Sequence, residues 1–236
     1  MDSKNLWIPQ AALVGLCCIL LAGCKTRPSK SELAEIQRKA EAGDPKAQMS
    51  LGVAYDFGHM GQRNYAEAAR WYQRAADQGY APAQHSMGTL CELGLGVQTN
   101  YTKAFELYQK SAEQGFAPAQ TSLGRMYDWG QGIVTNHVEA NKWYLRAAEQ
   151  GYPEAMFNLG ISYGFGEGVP LDRVQAFMWL DLARFFTQRS PDMKLKWRTR
   201  AYLDDLKKLM TYAQILEGEA RAKEWYANHT KKRKQG

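Results

Sequence analysis

Apolar and small residues repeat with a spacing of 36 along most of the chain. Ala47, Ala83, Ala119 and Ala155 form one series, and Gly52, Gly88, Gly124 and Gly160 a second. Gly58, Gly94, Gly130 and Gly166 run in phase with them, as do Ala68, Ala104, Ala140 and Ala176, and Gly43, Gly79, Gly115 and Gly151. Trp71, Leu107, Trp143 and Trp179 share one position; Tyr72, Tyr108, Tyr144 and Leu180 share the next. Such self-similarity decides the architecture before any local reading does.

Each unit reads as two helices. In the first unit the earlier helix falls near 47–57, where Ala47, Leu51, Gly52 and Tyr55 line one helical stripe. A glycine pair such as Gly94 and Gly96 then breaks the helix and permits a tight turn. The later helix starts after Asn64, Asn100, Asn136 or Asp172, residues preferred as N-caps because their side chains accept from first-turn amides. Asn64 with Glu67 and Asn136 with Glu139 have capping-box spacing. This helix runs to about Gln78 and stops at Gly79, and Pro82 and Pro118 suit the opening turns that follow.

No unit can bury its apolar face alone, so neighbours must stack. Gly52, Gly88, Gly124 and Gly160 permit close helix approach, and Tyr55, Tyr127, Tyr163, Trp71, Trp143 and Trp179 fill the layers as structural residues. Residues 31–42 occupy the place of a later helix and form an N-terminal half-repeat. After the last unit, Ser190-Pro191 predicts a helix over about 191–209, and a capping box at Thr211 and Gln214 opens another to about Trp225. The expected organisation is a repeat solenoid over 31–186, capping helices over 187–228 and a basic, disordered tail over 229–236.

The pattern Ala-x-x-x-Leu-Gly-x-x-Tyr, then Gly-x-Gly-Val, then Asn or Asp, then Ala-x-x-Trp-Tyr-x-x-Ala-Ala-x-x-Gly resembles the Sel-one-like repeat (SLR), a relative of the tetratricopeptide repeat. The resemblance implies an all-α fold, a right-handed α-α superhelical solenoid of about four units. The sequence departs from the pattern at Met60, with Gly61 displaced by one, at Cys91 in the tyrosine position, and at Leu107 in the tryptophan position.

The N-terminus changes the picture by supplying an address. Residues 11–23 are uncharged and almost wholly apolar. Thirteen residues are too few to span a bilayer, which needs about 20, but fit the apolar region of a secretory signal. The run ends in Leu21-Ala22-Gly23-Cys24, which resembles the lipobox of bacterial lipoproteins. The resemblance implies removal of residues 1–23, lipidation of Cys24 and a tether over 24–30. Resemblance to enteric lipoproteins implies that a non-acidic residue after the cysteine, here Lys25, permits transfer to the outer membrane, with the chain facing the periplasm. An ordinary cleaved signal or an uncleaved anchor are the alternatives.

Charge is uneven. The net charge is +6, yet residues 189–236 hold 13 Lys and Arg against 6 Asp and Glu, whereas residues 1–188 hold 17 against 18. Two readings of the basic tail at Lys231, Lys232, Arg233 and Lys234 stay open, a solvated end that aids solubility and a tether to an anionic surface such as peptidoglycan or lipid headgroups; nucleic acid is not expected for an exported chain. Four cysteines, three of them in the signal and lipobox, make no disulfide framework. His59, His85, His137 and His229 have no metal-ligand spacing, and no nucleophile elbow, zinc-protease motif or phosphate loop occurs. No metal, cofactor or catalytic residue is assigned. Some SLR proteins of one bacterial group are assigned penicillin-binding or lactamase activity, but proteins that resemble those carry a cysteine pair in each repeat, which this chain does not.

By analogy with tetratricopeptide solenoids, the earlier helices line a groove for an unknown protein or an extended peptide segment. Carried over, the groove positions are Met49, Val53 and Asp56; His85, Thr89 and Glu92; Thr121, Arg125 and Asp128; and Phe157 and Ile161, with Gly164 closing the series. The expectation is a non-catalytic scaffold. A lactamase-like or other cell-wall hydrolase, and a structural link to peptidoglycan, are the alternatives.

Overall fold

A computed structural model describes residues 28–188 and 190–235, with side chains as far as Lys231. The predicted signal 1–23, Cys24 and the start of the 24–30 tether lie outside the described residues. Eleven helices occur among the described residues: α1 Lys30–Glu41, α2 Pro45–Asp56, α3 Tyr65–Asp77, α4 Ala81–Leu93, α5 Tyr101–Glu113, α6 Ala117–Trp129, α7 His137–Ala148, α8 Pro153–Phe165, α9 Arg173–Thr187, α10 Met193–Lys208 and α11 Tyr212–Gln235. The chain divides into two compact units, one ending at Thr99 and the other beginning at Asn100.

The local signals act as expected. Asn64, Asn100, Asn136 and Asp172 cap α3, α5, α7 and α9, each accepting from the amide three residues on. Pro45 sits in the first turn of α2 behind the N-cap Asp44, and α4, α6 and α8 also carry proline in the first turn. The turn after α8 needs glycine. Gly168 has φ 69°, and a Cβ there would lie 2.4 Å from the backbone carbon of His137.

In the first unit α1 packs on α2, α2 on α3 and α3 on α4. α1 fills the half-repeat position with a full capping box between Ser29 and Glu32. It buries only Ala40, which joins Ala47 and Leu51, with Ile36, Tyr55, Met60 and Trp71 partly buried against them. Gly52 lets α2 approach α3: an added Cβ would fall 2.6 Å from the Tyr72 ring.

In the second unit α5 to α9 pack in sequence, and α10 and α11 both pack on α9. One core runs through α7 to α11 and contains Tyr144, Phe157, Phe177, Trp179, Leu195 and Ala222. Tyr127 and Tyr163 are partly buried against it, and Trp143 is buried. Gly124 and Gly160 sit as close to Tyr144 and Leu180 as Gly52 does to Tyr72, and Gly88 lies buried within α4.

Two expectations at the C-terminal end need correction. The N-cap of α10 is Asp192, which accepts from the Leu195 amide at 2.9 Å, not Ser190. Ser190 instead accepts from the Asp192 amide, fixing the loop before the cap. The Thr211–Gln214 box forms, with Thr211 N–H donating to Gln214 at 2.9 Å and Gln214 N–H to Thr211 at 3.3 Å. The helix it opens does not stop near Trp225. It continues to Gln235, so most of the 229–236 segment expected to be disordered is helical. The physical reason is that the segment lacks glycine and proline until its last residue, and cations suit a helix C-terminus.

Candidate protein-binding face

The predicted groove positions come from the earlier helix of each repeat. Most of them point inward. Met49, Val53, Asp56, His85, Thr89, Glu92, Thr121 and Phe157 are buried, and Arg125, Asp128 and Ile161 are partly buried. Thr89 and Thr121 turn their hydroxyls back onto the carbonyls of His85 and Ala117, at 3.1 and 3.0 Å. Asp56 accepts from the Tyr72 hydroxyl at 3.3 Å; burial pushes its carboxyl up, and Tyr72 and then Arg63 pull it back. A row of freely exposed side chains at these positions is therefore not what the fold provides.

In the second unit the face is built differently, around α6, α8 and α10. Phe157 of α8 is covered by α10: the Arg198 guanidinium lies 4.5 Å from its ring centroid and the Tyr202 ring meets it edge-on at 5.5 Å. Phe165, at the end of α8, meets the same Tyr202 at 6.5 Å. Trp129, 36 residues before Phe165, ends α6 with the Arg125 guanidinium 5.6 Å from its centroid. Trp129 is 56% exposed, Phe165 63% and Tyr202 39%. Three aromatic rings thus stand exposed at the ends of α6 and α8 and on α10, with Arg125 and Arg198 beside them.

The polar groups behind this face are engaged. Glu154, in the first turn of α8, is pushed above the usual carboxylate range by burial, while Arg125 and Arg198 favour its ionised form. Burial likewise raises the Tyr152 phenol. Asp128 accepts from the Tyr144 hydroxyl at 2.9 Å and meets His137 Nδ1 at 2.9 Å. Tyr144 is buried, and its phenol is raised by that burial and then by Asp128. Such a set can present aromatic area and fixed cations to a ligand.

Sequence reasoning missed Arg198, Tyr202, Trp129 and Phe165. The last two carried a signal, because Phe57, Leu93, Trp129 and Phe165 form another 36-residue series. A glutamine series was also missed. Gln48 donates to Ala40 O at 3.2 Å and accepts from Gln78 at 2.8 Å; Gln120 and Gln150 repeat this with Ala112 O at the same distances. Among the described residues, no group of three or more His, Cys, Asp or Glu is placed to hold a metal ion. No helix of the described residues is long and apolar enough to cross a membrane.

Helices joined in sequence and packed on their neighbours, repeated every 36 residues, define an all-α solenoid. The Sel1 repeat model matches residues 45–80, 81–116, 117–152 and 153–184, and the chain belongs to the Sel1 repeat family. A Sel1 repeat protein from Oxalobacter formigenes is 28% identical, with 83% of this chain and 84% of that one covered and a TM-score of 0.65. The protective antigen c5321 of uropathogenic Escherichia coli, which displays an SLR fold, is 26% identical over 92% of this chain and 53% of that one, with a TM-score of 0.53. The immunity protein Pa5087 from Pseudomonas aeruginosa shares the fold at 19% identity, over 85% of this chain and 84% of that one, with a TM-score of 0.51. A search of curated proteins returned no match. Sel1 repeat proteins typically serve as scaffolds that bind other proteins.

Proposed function

We propose that this chain is a lipid-anchored lipoprotein of the bacterial outer membrane, facing the periplasm, that binds another protein without catalysing a reaction. The binding site is the face of α6, α8 and α10 in the second unit. The observation that carries this reading is the exposure of Trp129, Phe165 and Tyr202 beside Arg125 and Arg198. Exposed aromatics next to arginine are the side chains that dominate protein-binding energy, since each offers large contact area at little conformational cost. The ligand best matched is a peptide segment carrying an apolar or aromatic residue next to an acidic one.

A photo-crosslinking residue at position 165 should give one discrete adduct in cells, and the Trp129→Ala/Tyr202→Ala pair should abolish it. A diffuse ladder of adducts that survives the pair would remove this face from the reading. The anchor rests on Leu21-Ala22-Gly23-Cys24 at the end of an apolar run. Labelling with a palmitate analogue should mark the wild type and not Cys24→Ala; equal labelling of both would defeat it.

A further inference from the structure

α10 carries a second surface that the binding face does not use. Its inner side buries Leu195, Thr199, Leu203 and Leu206 against the core, and the Thr199 hydroxyl donates to Leu195 O at 2.7 Å. That packing fixes the rotation of the helix. The side turned away carries Met193 and Trp197, four residues apart and so on one face. They are 70% and 72% exposed. Lys194 and Arg200 are exposed around them and Lys196 partly so. No acidic residue lies between Met193 and Leu203. Of the acids of α10, Asp204 follows Arg200 by four residues and so borders the C-terminal end of this face, while Asp205 pairs with Lys208 at 2.7 Å. Asp192, before the helix, is occupied as its N-cap.

We propose that the outward face of the first two turns of α10 rests on an anionic membrane surface. The charge fits: phosphate headgroups attract Lys194, Lys196 and Arg200, whose long stems let the cations stay in the headgroup layer. Trp197 suits the boundary between headgroup and acyl chain, with an apolar body and one polar N–H. A protein partner would need a shaped apolar surface, but here two apolar side chains stand among cations. A lipid surface demands no such shape, only apolar contact and negative charge. The contact does not depend on a lipid at Cys24, although an anchor would raise its local concentration.

The test uses the whole chain with phosphatidylcholine vesicles whose acyl chains are brominated, with and without about one-third phosphatidylglycerol. Bromine quenches indoles that enter the acyl boundary. Subtracting the emission of Trp197→Phe isolates one of the seven tryptophans. In anionic vesicles the isolated emission should be quenched. The quenching should vanish in zwitterionic vesicles and at about 1 M salt, where the screening length falls to about 3 Å. The Lys194→Gln/Lys196→Gln/Arg200→Gln triple variant should need roughly tenfold or more anionic lipid for half-quenching. Isolated emission that is unquenched in anionic vesicles overturns the proposal. So does quenching that ignores the triple substitution, or occlusion of Trp197 by a protein partner instead. Failure of the anchor is a separate result, read as loss of flotation with zwitterionic vesicles.

Discussion

The two compact units end in unequal caps. In the first, α1 buries only Ala40, and its partners in the local core are Ala47 and Leu51. In the second, α10 and α11 add Leu195, Leu203, Leu206 and Ala222 to a core that reaches back to Ala140. A single amphipathic helix suffices to shield the outer side of a repeat. Two long helices do more: besides filling the core, α10 covers Phe157, brings Arg198 and Tyr202 over α8, and keeps one outward face exposed. The C-terminal cap is thus where this chain acquires surfaces its repeats do not supply.

The sharpest way to break that comparison is to truncate one apolar residue at the contact each cap makes, on α1 itself and on the α9 side of the C-terminal cap. Trp179 is buried and meets Trp225 of α11 edge-on at 5.8 Å. Trp179→Ala should destabilise the chain by about 3–5 kcal/mol. Ile36→Ala, which removes a partly buried contact of α1, should cost about 1 kcal/mol or less. Urea unfolding midpoints measure both, and equal shifts would mean that the caps carry equal weight.

A smaller effect separates two equivalent carboxylates. Asp128 serves both Tyr144 and His137, whereas Asp56 is more deeply buried and is held above its ordinary value by that burial. Asp128→Ala leaves the buried Tyr144 hydroxyl without this acceptor and should cost about 1–3 kcal/mol. Asp56→Ala also removes an acceptor, yet relieves the burial of a carboxylate, so its cost should be smaller. Matched thermal melts decide the order, and a larger loss at Asp56 would reverse this reading.

The smallest effect is a pH dependence. Glu154 has its folded pKa raised above the ordinary 4.5 by burial. Between the unfolded and the higher folded value, the native state binds more protons. Stability from this group therefore falls as pH rises through that window. Glu154→Gln removes the dependence, so the gap between wild type and variant should move in the variant's favour from about pH 4 to pH 7. A gap that moves the other way would show that Arg125 and Arg198 outweigh burial.

The fold was legible because its causes are local and repeated. An N-cap Asn or Asp, a first-turn proline and a glycine needing positive φ each act within a few residues, and each repeat reports them again. Small residues at Gly52, Gly124 and Gly160 marked close approach for the same reason. The site was not legible in this way. Analogy makes Phe157 a groove-lining position, and α10 lies over it. That contact depends on how α10 crosses α8, and no spacing between Phe157 and Arg198 encodes it. The end of α11 was missed through a different cause: a basic run reads as solvated tail by composition, yet a helix already formed needs no apolar residues to continue.

The sequence by itself determined the repeat, its two-helix unit, the caps at Asn64, Asn100, Asn136 and Asp172, and the family. These follow from steric and hydrogen-bonding rules that each short segment obeys alone. The tertiary structure decided which of those side chains face solvent. It turned Thr121 and Phe157 inward, set Trp129, Phe165 and Tyr202 outward beside two arginines, and gave α10 one face over α8 and another turned to solvent. Exposure depends on what packs over a residue, and packing joins segments that are distant along the chain.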